Sequence, residues 1–272
     1  AVNVDMMLLR ELEGEQCELE MVAGGCDKDC HRRRFKTKLI AMRMCGYDRV
    51  LIEPSGIFDM DEFFDALHEE PLDRWYQIGN VIAVVDAGLD EKMSEEADYI
   101  LASEVADAGC IVLSKTQEAS EKSIENTVKH LNRALKAVHC KRKFGEDEII
   151  RKDWEQFETE DFERILNSGY IAEDYEKMSL DEKEVFKSLY FMDLEISGAE
   201  LRDAAQKIMQ DPACGSVFRI KGFTQETDGS WTELNATHHE ITQCPIAEGQ
   251  KVIIVIGEQP DEEMIKKYFG TD

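Results

Sequence analysis

The stretch Val81-Ile82-Ala83-Val84-Val85-Asp86 is a continuous apolar run that ends in a carboxylate. An unbroken run of this length, without polar alternation, is typical of a strand that is buried on both faces of a parallel sheet. Two shorter runs, 50–52 and 111–113, have the same character, and patterns typical of helices follow at 59–68 and 118–138. Strands that alternate with helices predict an α/β domain with a mostly parallel sheet.

Each of the three apolar runs ends at a residue that carries a charge or a hydrogen-bonding group. Glu53 follows the first run, Asp86 follows the second, and Ser114 and Lys115 follow the third. In open parallel sheets, ligands bind outside the carboxyl ends of the strands. The sequence therefore predicts a binding site at this edge of the sheet.

The last third of the chain has a different pattern. One strand and one helix precede several short strands, with a turn signal at Asp228-Gly229, and a last helix starts near Pro260. This order predicts a small α+β domain with an antiparallel sheet. We therefore expect an α/β domain over 1–143, a helical connector over 144–187 and the α+β domain over 188–272.

The chain is strongly acidic. Its 272 residues include 58 acidic and 32 basic side chains, which gives a net charge of -26. Such a surface repels phosphate backbones and anionic lipids, so we expect neither nucleic acid nor a membrane as a partner. The eight cysteines are dispersed, and the first residues do not resemble a secretory signal, which favours reduced thiols in the cytoplasm.

The segment Glu53-Pro54-Ser55-Gly56 suggests a magnesium and nucleotide site. A carboxylate at a strand end can hold a water molecule of Mg²⁺, and a glycine amide three residues later can approach a terminal phosphate. We therefore predict that Glu53 is catalytic and that Glu53 and Gly56 bind nucleotide. The alternative is that the strand ends in an ordinary turn, in which Pro54 and Gly56 are typical turn residues.

The segment Ser114-Lys115-Thr116-Gln117 lies where GTPases carry Asn-Lys-x-Asp for guanine recognition. Ser114, Lys115 and Gln117 are predicted to contact the nucleotide. A glutamine amide has one acceptor and two donors, so Gln117 cannot copy a carboxylate that accepts two hydrogen bonds. This exchange is expected to weaken the preference for guanine.

Cys26, Cys30 and His31 form a candidate site for a transition metal. Cysteines four residues apart share one face of a helical turn, and thiolates with an imidazole suit Zn²⁺ or a similar ion. Incidental or buried thiols are the alternative. His238-His239 and Cys244 are weaker candidates, and a polar edge strand explains them better.

A phosphate-binding loop of the form G-x-x-x-x-G-K-[ST] is missing from the sequence, because none of its 17 glycines precedes a lysine. The other motifs, taken together, resemble the CobW-like branch of the P-loop GTPases, relatives of the urease and hydrogenase nickel-insertion GTPases. The resemblance rests on Glu53 and Gly56, on Val84-Val85-Asp86-Ala87, on the degenerate motif at Ser114–Gln117, and on 217–223 with 228–231.

The resemblance implies a nucleotide-gated metal chaperone linked to cobalamin synthesis. GTP with Mg²⁺ would bind one site, a transition metal the other, and a client metalloprotein would receive the ion through the C-terminal domain. Whether the chain forms a homo-oligomer stays open. In the family motif Gly-Cys-x-Cys-Cys, Lys28 and Asp29 replace two cysteines here, and Cys30 lies one residue beyond.

The beginning of the chain resembles the segment that follows the first switch strand of such GTPases. We therefore expect the phosphate-binding loop to lie upstream of Ala1, in a complete chain that hydrolyses GTP. The alternative is a non-catalytic pseudo-GTPase that serves as a metal-binding or interaction scaffold.

Overall fold

The computed structural model describes residues 9, 12–22, 28–54, 60–173, 175–176 and 186–271. The described residues within Leu12–Ser179 belong to one compact unit, and those within Leu180–Asp272, together with Leu9, belong to a second. Among the described helices, none combines the length and the apolar character that crossing a membrane requires.

The first unit combines helices with a small parallel sheet. Its helices are α1 (Lys28–Cys45), α2 (Met60–Leu67), α3 (Leu72–Trp75), α4 (Glu95–Ala106), α5 (Glu121–Ala137) and α6 (Thr159–Leu166). Its strands are β1 (Ile82–Asp86), β2 (Cys110–Ser114) and β3 (Ile149–Ile150), with 3₁₀ turns at Glu146–Glu148 and Trp154–Gln156. The strands pair in parallel in the order β1-β2-β3, which confirms the predicted α/β class.

The two longer strands differ in how deeply they are buried. In β2 the apolar side chains are largely covered, whereas in β1 burial alternates: Ala83 and Val85 are buried, but Val84 is 69% exposed. The prediction that both faces of β1 are covered is therefore wrong for the described structure. A continuous apolar run reports hydrophobic character, and packing of both faces depends on elements that lie elsewhere in the chain.

The predicted strand at 50–52 is not a strand in the structure. Residues 49–54 are irregular, Leu51 is 86% exposed, and no described strand pairs with this segment. Without a paired neighbour, a run of three apolar residues has no partners for its amide and carbonyl groups within a sheet. The helix predicted at 59–68 is present as α2.

The predicted helical connector, 144–187, has mixed structure. It contains α6, but also β3, whose Ile149 and Ile150 pair with β2. Three of its large apolar side chains, those of Trp154, Phe162 and Leu166, are exposed. Sequence reasoning missed β3 because two apolar residues are too short for a detectable period.

The second unit has a five-stranded antiparallel sheet with helices on one face. Its elements are β4 (Phe186–Met192), α7 (Gly198–Gln210), a 3₁₀ turn (Pro212–Cys214), β5 (Ser216–Gln225), β6 (Trp231–Thr237), β7 (Ile241–Ile246), β8 (Val252–Glu258) and α8 (Glu262–Tyr268). The strand order is β4-β8-β5-β6-β7, as expected for an α+β unit. Helix α7 packs on β5 and β6.

Local sequence signals explain how these elements begin and turn. Ser197 and Glu200 form a reciprocal capping box that starts α7. Gly229 has a φ of +87°, a value that suits glycine in the tight turn between β5 and β6. Gly222 faces Leu201 so closely that an added Cβ would lie 2.3 Å from Leu201 Cδ2, so α7 needs a glycine at this point of β5.

Candidate functional site

The carboxyl ends of β1 and β2 meet in a small polar cluster. Asp86 and Ser114 are register partners, and Lys115 Nζ lies 2.8 Å from Asp86 Oδ2. The other carboxylate oxygen, Asp86 Oδ1, accepts a hydrogen bond from the amide of Gly88 at 2.8 Å. The structure thus brings together two of the three predicted strand ends.

The turn after β2 is tightly organised. Lys115 has a φ of +55°, in the left-handed region, and its carbonyl accepts the amides of Glu118 and Ala119. The hydroxyl of Thr116 is buried and has no hydrogen-bond partner among the described residues. Gln117 is exposed at the outer side of this turn. The turn therefore presents Gln117 and Glu118 outward and holds its lysine against Asp86.

Glu53 is exposed in the irregular segment 49–54. Within the described part of the chain its carboxylate makes no hydrogen bond or ion pair. The other predicted residue of this motif, Gly56, lies outside the described residues. The predicted approach of Glu53 to the ends of β1 and β2 therefore stays a prediction.

The predicted metal ligands are only partly within the described chain. Cys30 and His31 are half-buried in the first turn of α1, and Cys26 lies outside the described residues. No group of three or more His, Cys, Asp or Glu side chains with metal-binding geometry occurs among the residues that the structure describes. The backbone of Lys28 and Asp29, which replace family cysteines, belongs to the same helical turn.

The second histidine candidate lies in a turn. His238 and His239 are exposed between β6 and β7, where the amide of Thr237 donates to the carbonyl of Glu240 at 2.8 Å. Cys244 is exposed on β7, the last strand of the sheet order. This agrees with a polar edge strand, and the metal interpretation of these residues stays a prediction without support from the geometry.

Helix α5 fixes the loop that follows Asp86, a feature that sequence reasoning missed. The hydroxyls of Ser123 and Thr127 donate to the carbonyl of Ala87, at 3.3 and 2.9 Å. Arg133 donates to the carbonyl of Glu91 at 2.7 Å. Ser123 and Thr127 lie four residues apart along α5, and Arg133 follows six residues later. The sequence signal for this contact is a set of polar residues that recurs along a predicted helix next to its apolar face.

The buried His130 completes this contact. It is 1% exposed, its Nδ1 lies 2.7 Å from the carbonyl oxygen of Asp90, and its Nε2 lies 2.6 Å from Asp98 Oδ1. Asp98 belongs to the first turn of α4, which Ser94 caps through the amide of Ala97. His130 therefore ties α5 to the loop after β1 and to the start of α4.

One acidic side chain in this unit has an unusual protonation equilibrium. Burial raises the pKa of Glu104, on α4, to about 8. The cause is desolvation of the charged form. At neutral pH a large share of this side chain is therefore protonated.

Comparison with known proteins gives a family match for the first half of the chain. Residues 1–144 match the model of the CobW/HypB/UreG family, nucleotide-binding domain. Among curated proteins no sequence matches the chain.

Two solved structures are similar to the chain at low identity. The Zn(II)-bound YjiA GTPase from E. coli has 17% identity and a TM-score of 0.33, with 99% of this chain and 95% of that chain covered. A Zn(II)-bound triple mutant of the YjiA GTPase has 16% identity and a TM-score of 0.35, with 91% and 77% covered. Both likenesses are too low to carry an argument, so the assignment rests on the family model, which spans more than half of the residues. The chain belongs to the CobW/HypB/UreG family and carries that family's nucleotide-binding domain.

Proposed function

We propose that the protein is a nucleotide-gated metal chaperone, a GTPase that binds a transition metal and delivers it to a client metalloprotein. The observation that carries the proposal is the Asp86–Lys115 pair, which lies at the carboxyl ends of adjacent parallel strands in a chain whose residues 1–144 match a nucleotide-binding family. Ligands of open parallel sheets bind at such strand ends.

The predicted nucleotide residues have distinct roles in this proposal. Glu53 orients the attacking water, Gly56 contacts the terminal phosphate, and Lys115 leaves Asp86 to cover the base. Because the carboxylate of Glu53 is exposed, it fits a water-mediated contact to Mg²⁺, which takes most of its other ligands from phosphates and water. When bound, Mg²⁺ neutralises phosphate charge.

The cargo metal is proposed to bind at Cys26, Cys30 and His31. Thiolate and imidazole ligands suit Zn²⁺, and they also accept Co²⁺ and Ni²⁺. The seven cysteines that the structure describes form no disulfide with one another, which supports a reducing, cytoplasmic setting for the protein. Nucleotide and Mg²⁺ at Glu53 would order the switch at this residue and so couple their binding to the Cys26/Cys30 region, and hydrolysis would relax that region and release the ion.

The test is calorimetric titration of the full natural chain with Mg²⁺-GTP and Mg²⁺-ATP, with and without Zn²⁺, Co²⁺ or Ni²⁺. We expect GTP to bind more tightly than ATP and its affinity to change when the metal is present. Cys30→Ser should remove this change. Cys45→Ser is the matched control, since Cys45 is an exposed thiol at the other end of α1. Absence of nucleotide binding under every condition contradicts the proposal.

A second candidate function is a non-catalytic scaffold that binds metal. Two observations favour it: Gln117 replaces the expected aspartate, and Lys115 is already engaged by Asp86 at 2.8 Å. Tight metal binding that Cys30→Ser weakens, without binding of either nucleotide, would establish the scaffold instead of the GTPase.

A further inference from the structure

Thr127 lies in the middle of α5 and is completely buried, so its hydroxyl needs a hydrogen-bond partner inside the fold. A threonine within a helix commonly donates to the carbonyl four residues earlier in the same helix. Thr127 instead donates to the carbonyl of Ala87, just after β1, at 2.9 Å. Ser123, one turn earlier in α5, donates to the same oxygen at 3.3 Å. Two hydroxyls of α5 therefore hold a single peptide carbonyl.

The carbonyl that α5 holds belongs to the peptide group between Ala87 and Gly88. A peptide group is planar and rigid, so fixing its carbonyl also fixes the direction of its N–H. This N–H, the amide of Gly88, donates to Asp86 Oδ1 at 2.8 Å. The fit is close, because a Cβ added to Gly88 would lie 3.3 Å from the same oxygen. The Thr127 hydroxyl therefore orients the carboxylate of Asp86 through one peptide plane, an arrangement that we call the Thr127 relay.

The second oxygen of this carboxylate holds the predicted base-contacting lysine. Asp86 Oδ2 lies 2.8 Å from Lys115 Nζ. The backbone is also fixed from the side of β2, because the amide of Ala87 donates to the carbonyl of Ser114 at 2.9 Å and Ala87 is fully buried. Hydrogen bonds in a chain polarise one another, so a hydroxyl that donates to the carbonyl strengthens the amide at the other end of the peptide as a donor. The relay therefore stabilises the carboxylate in the orientation that holds the lysine.

We propose that Thr127 is a positioning residue of the nucleotide site and determines, through the relay, how firmly Asp86 holds Lys115. The inference rests on the proposed function, in which Lys115 leaves Asp86 to cover the base. A contact that a ligand must break lowers the affinity of that ligand, since it stabilises only the unbound state. Thr127 thus adjusts nucleotide affinity from the core, where its buried side chain cannot touch the ligand.

The first measurement follows Lys115 without nucleotide. The full natural chain is labelled briefly with acetic anhydride, and mass spectrometry of the digested protein gives the labelling rate of Lys115. Thr127→Val keeps nearly the same shape but lacks the hydroxyl, so it should raise this rate about fivefold, the effect of one hydrogen bond. Thr127→Ser keeps the hydroxyl and should label like the unaltered chain. Circular dichroism checks that the variants are folded.

The matched control is Asn126→Ala. Asn126 also connects α5 to the loop after β1, but it donates to the side chain of Glu91, outside the relay. Its removal should leave the labelling rate of Lys115 unchanged. An increase equal to that of Thr127→Val would overturn the proposal, because any loosening of the loop would then release the lysine.

A double-mutant cycle tests whether the effect passes through the carboxylate. Asp86→Ala removes the group that holds Lys115 and should itself raise the labelling rate. Adding Thr127→Val to Asp86→Ala should then change nothing further. The same increase with and without the carboxylate of Asp86 would contradict the relay.

Calorimetric titration with Mg²⁺-GTP tests the consequence for the nucleotide site. Thr127→Val should bind GTP about fivefold more tightly than the unaltered chain, because the lysine is easier to release. Thr127→Ser should bind like the unaltered chain. Unchanged or weaker GTP binding by Thr127→Val, together with faster labelling of Lys115, would overturn the role of Thr127 at this site.

Failure of this inference is distinguishable from failure of the proposed function. Absence of nucleotide binding by the unaltered chain contradicts the proposed function, and the role at the nucleotide site falls with it. GTP binding by the unaltered chain, with a labelling rate of Lys115 that Thr127→Val does not change, overturns the role of Thr127 and leaves the GTPase function standing.

Discussion

Lys115 Nζ lies 2.8 Å from Asp86 Oδ2 and so connects the ends of two neighbouring parallel strands. The predicted base-contacting lysine is thus held by a carboxylate from another predicted motif. The two side chains are 39% and 34% exposed. An ion pair with this exposure contributes little to stability, so its main consequence is the position of the lysine.

We expect Lys115→Met to separate these two effects. The free energy of unfolding should change by less than about 1 kcal/mol, because solvent screens the pair. Nucleotide affinity should fall about tenfold, which corresponds to about 1.4 kcal/mol. Urea denaturation and calorimetric titration measure the two quantities. Lys129→Met, which removes an exposed helical pair with Glu125, is the control and should change neither. Unchanged nucleotide affinity in Lys115→Met would exclude a role of this lysine in binding.

His130→Ala is predicted to destabilise the first unit by about 2–4 kcal/mol, because it empties the space of a buried ring and removes the partly buried hydrogen bonds of that ring to the Asp90 carbonyl and the Asp98 carboxylate. Urea denaturation measures the loss. His139→Ala is the matched control: His139 also contacts a carboxylate, that of Glu176, but both side chains are largely exposed. The control should cost less than about 0.5 kcal/mol. Equal losses in the two variants would show that burial of His130 contributes nothing.

The raised pKa of Glu104 predicts a pH dependence of stability. Between the ordinary pKa of 4.5 and the folded-state pKa of about 8, the folded chain retains a proton that the unfolded chain has lost. Stability should therefore fall as the pH rises through this range. Glu104 is only half-buried, so the expected effect on stability is moderate. At pH 8 the free energy of unfolding of Glu104→Gln should exceed that of the unaltered chain by on the order of 1–2 kcal/mol, and at pH 4 the two should be equal.

Denaturation curves at both pH values measure this gain. Glu125→Gln, a change at an exposed position on α5, is the control and should show no such pH-dependent difference. A Glu104→Gln chain that follows the unaltered chain at both pH values would mean that Glu104 is ionised when folded.

The cysteines should differ sharply in reactivity. Burial, together with the charges of Asp211 and Asp261, raises the pKa of Cys214 to about 11, and burial also raises the pKa values of Cys110 and Cys140. Iodoacetamide at pH 8 should therefore spare these three thiols and modify those that are exposed in the described part of the chain, which are Cys17, Cys45 and Cys244. Mass spectrometry of the digested protein measures the pattern. Denaturation in urea should make all thiols reactive, and modification of Cys214 in the folded chain would contradict its burial.

Strands and helices with clear local signals were predictable from the sequence. β1 and β2 follow their apolar runs, α7 begins at a capping box formed by Ser197 and Glu200, and Gly229 turns the chain between β5 and β6. Each of these depends on residues within a few positions of one another. The second unit was therefore predicted with its strands, helices and antiparallel sheet.

The segment around Leu51 shows where this reasoning fails. Its apolar run was interpreted as a buried strand, yet Leu51 is among the most exposed apolar residues described. Whether a strand forms depends on a partner that supplies hydrogen bonds, and that partner is distant in sequence. The same limit applies to β3, where Ile149 and Ile150 form a strand because β2 lies beside them.

Short stretches of sequence, through their residue chemistry and local periodicity, determined the family resemblance and the helices and strands with clear local signals. They also determined the candidate ligands, such as Cys30 and Glu53. The tertiary structure decided which of these residues meet. It joined Asp86 to Lys115, buried His130 between Asp90 and Asp98, and brought Thr127 to the carbonyl of Ala87. These contacts depend on chain segments that pack from far apart in sequence, and the free energy of such packing is not encoded in any single stretch.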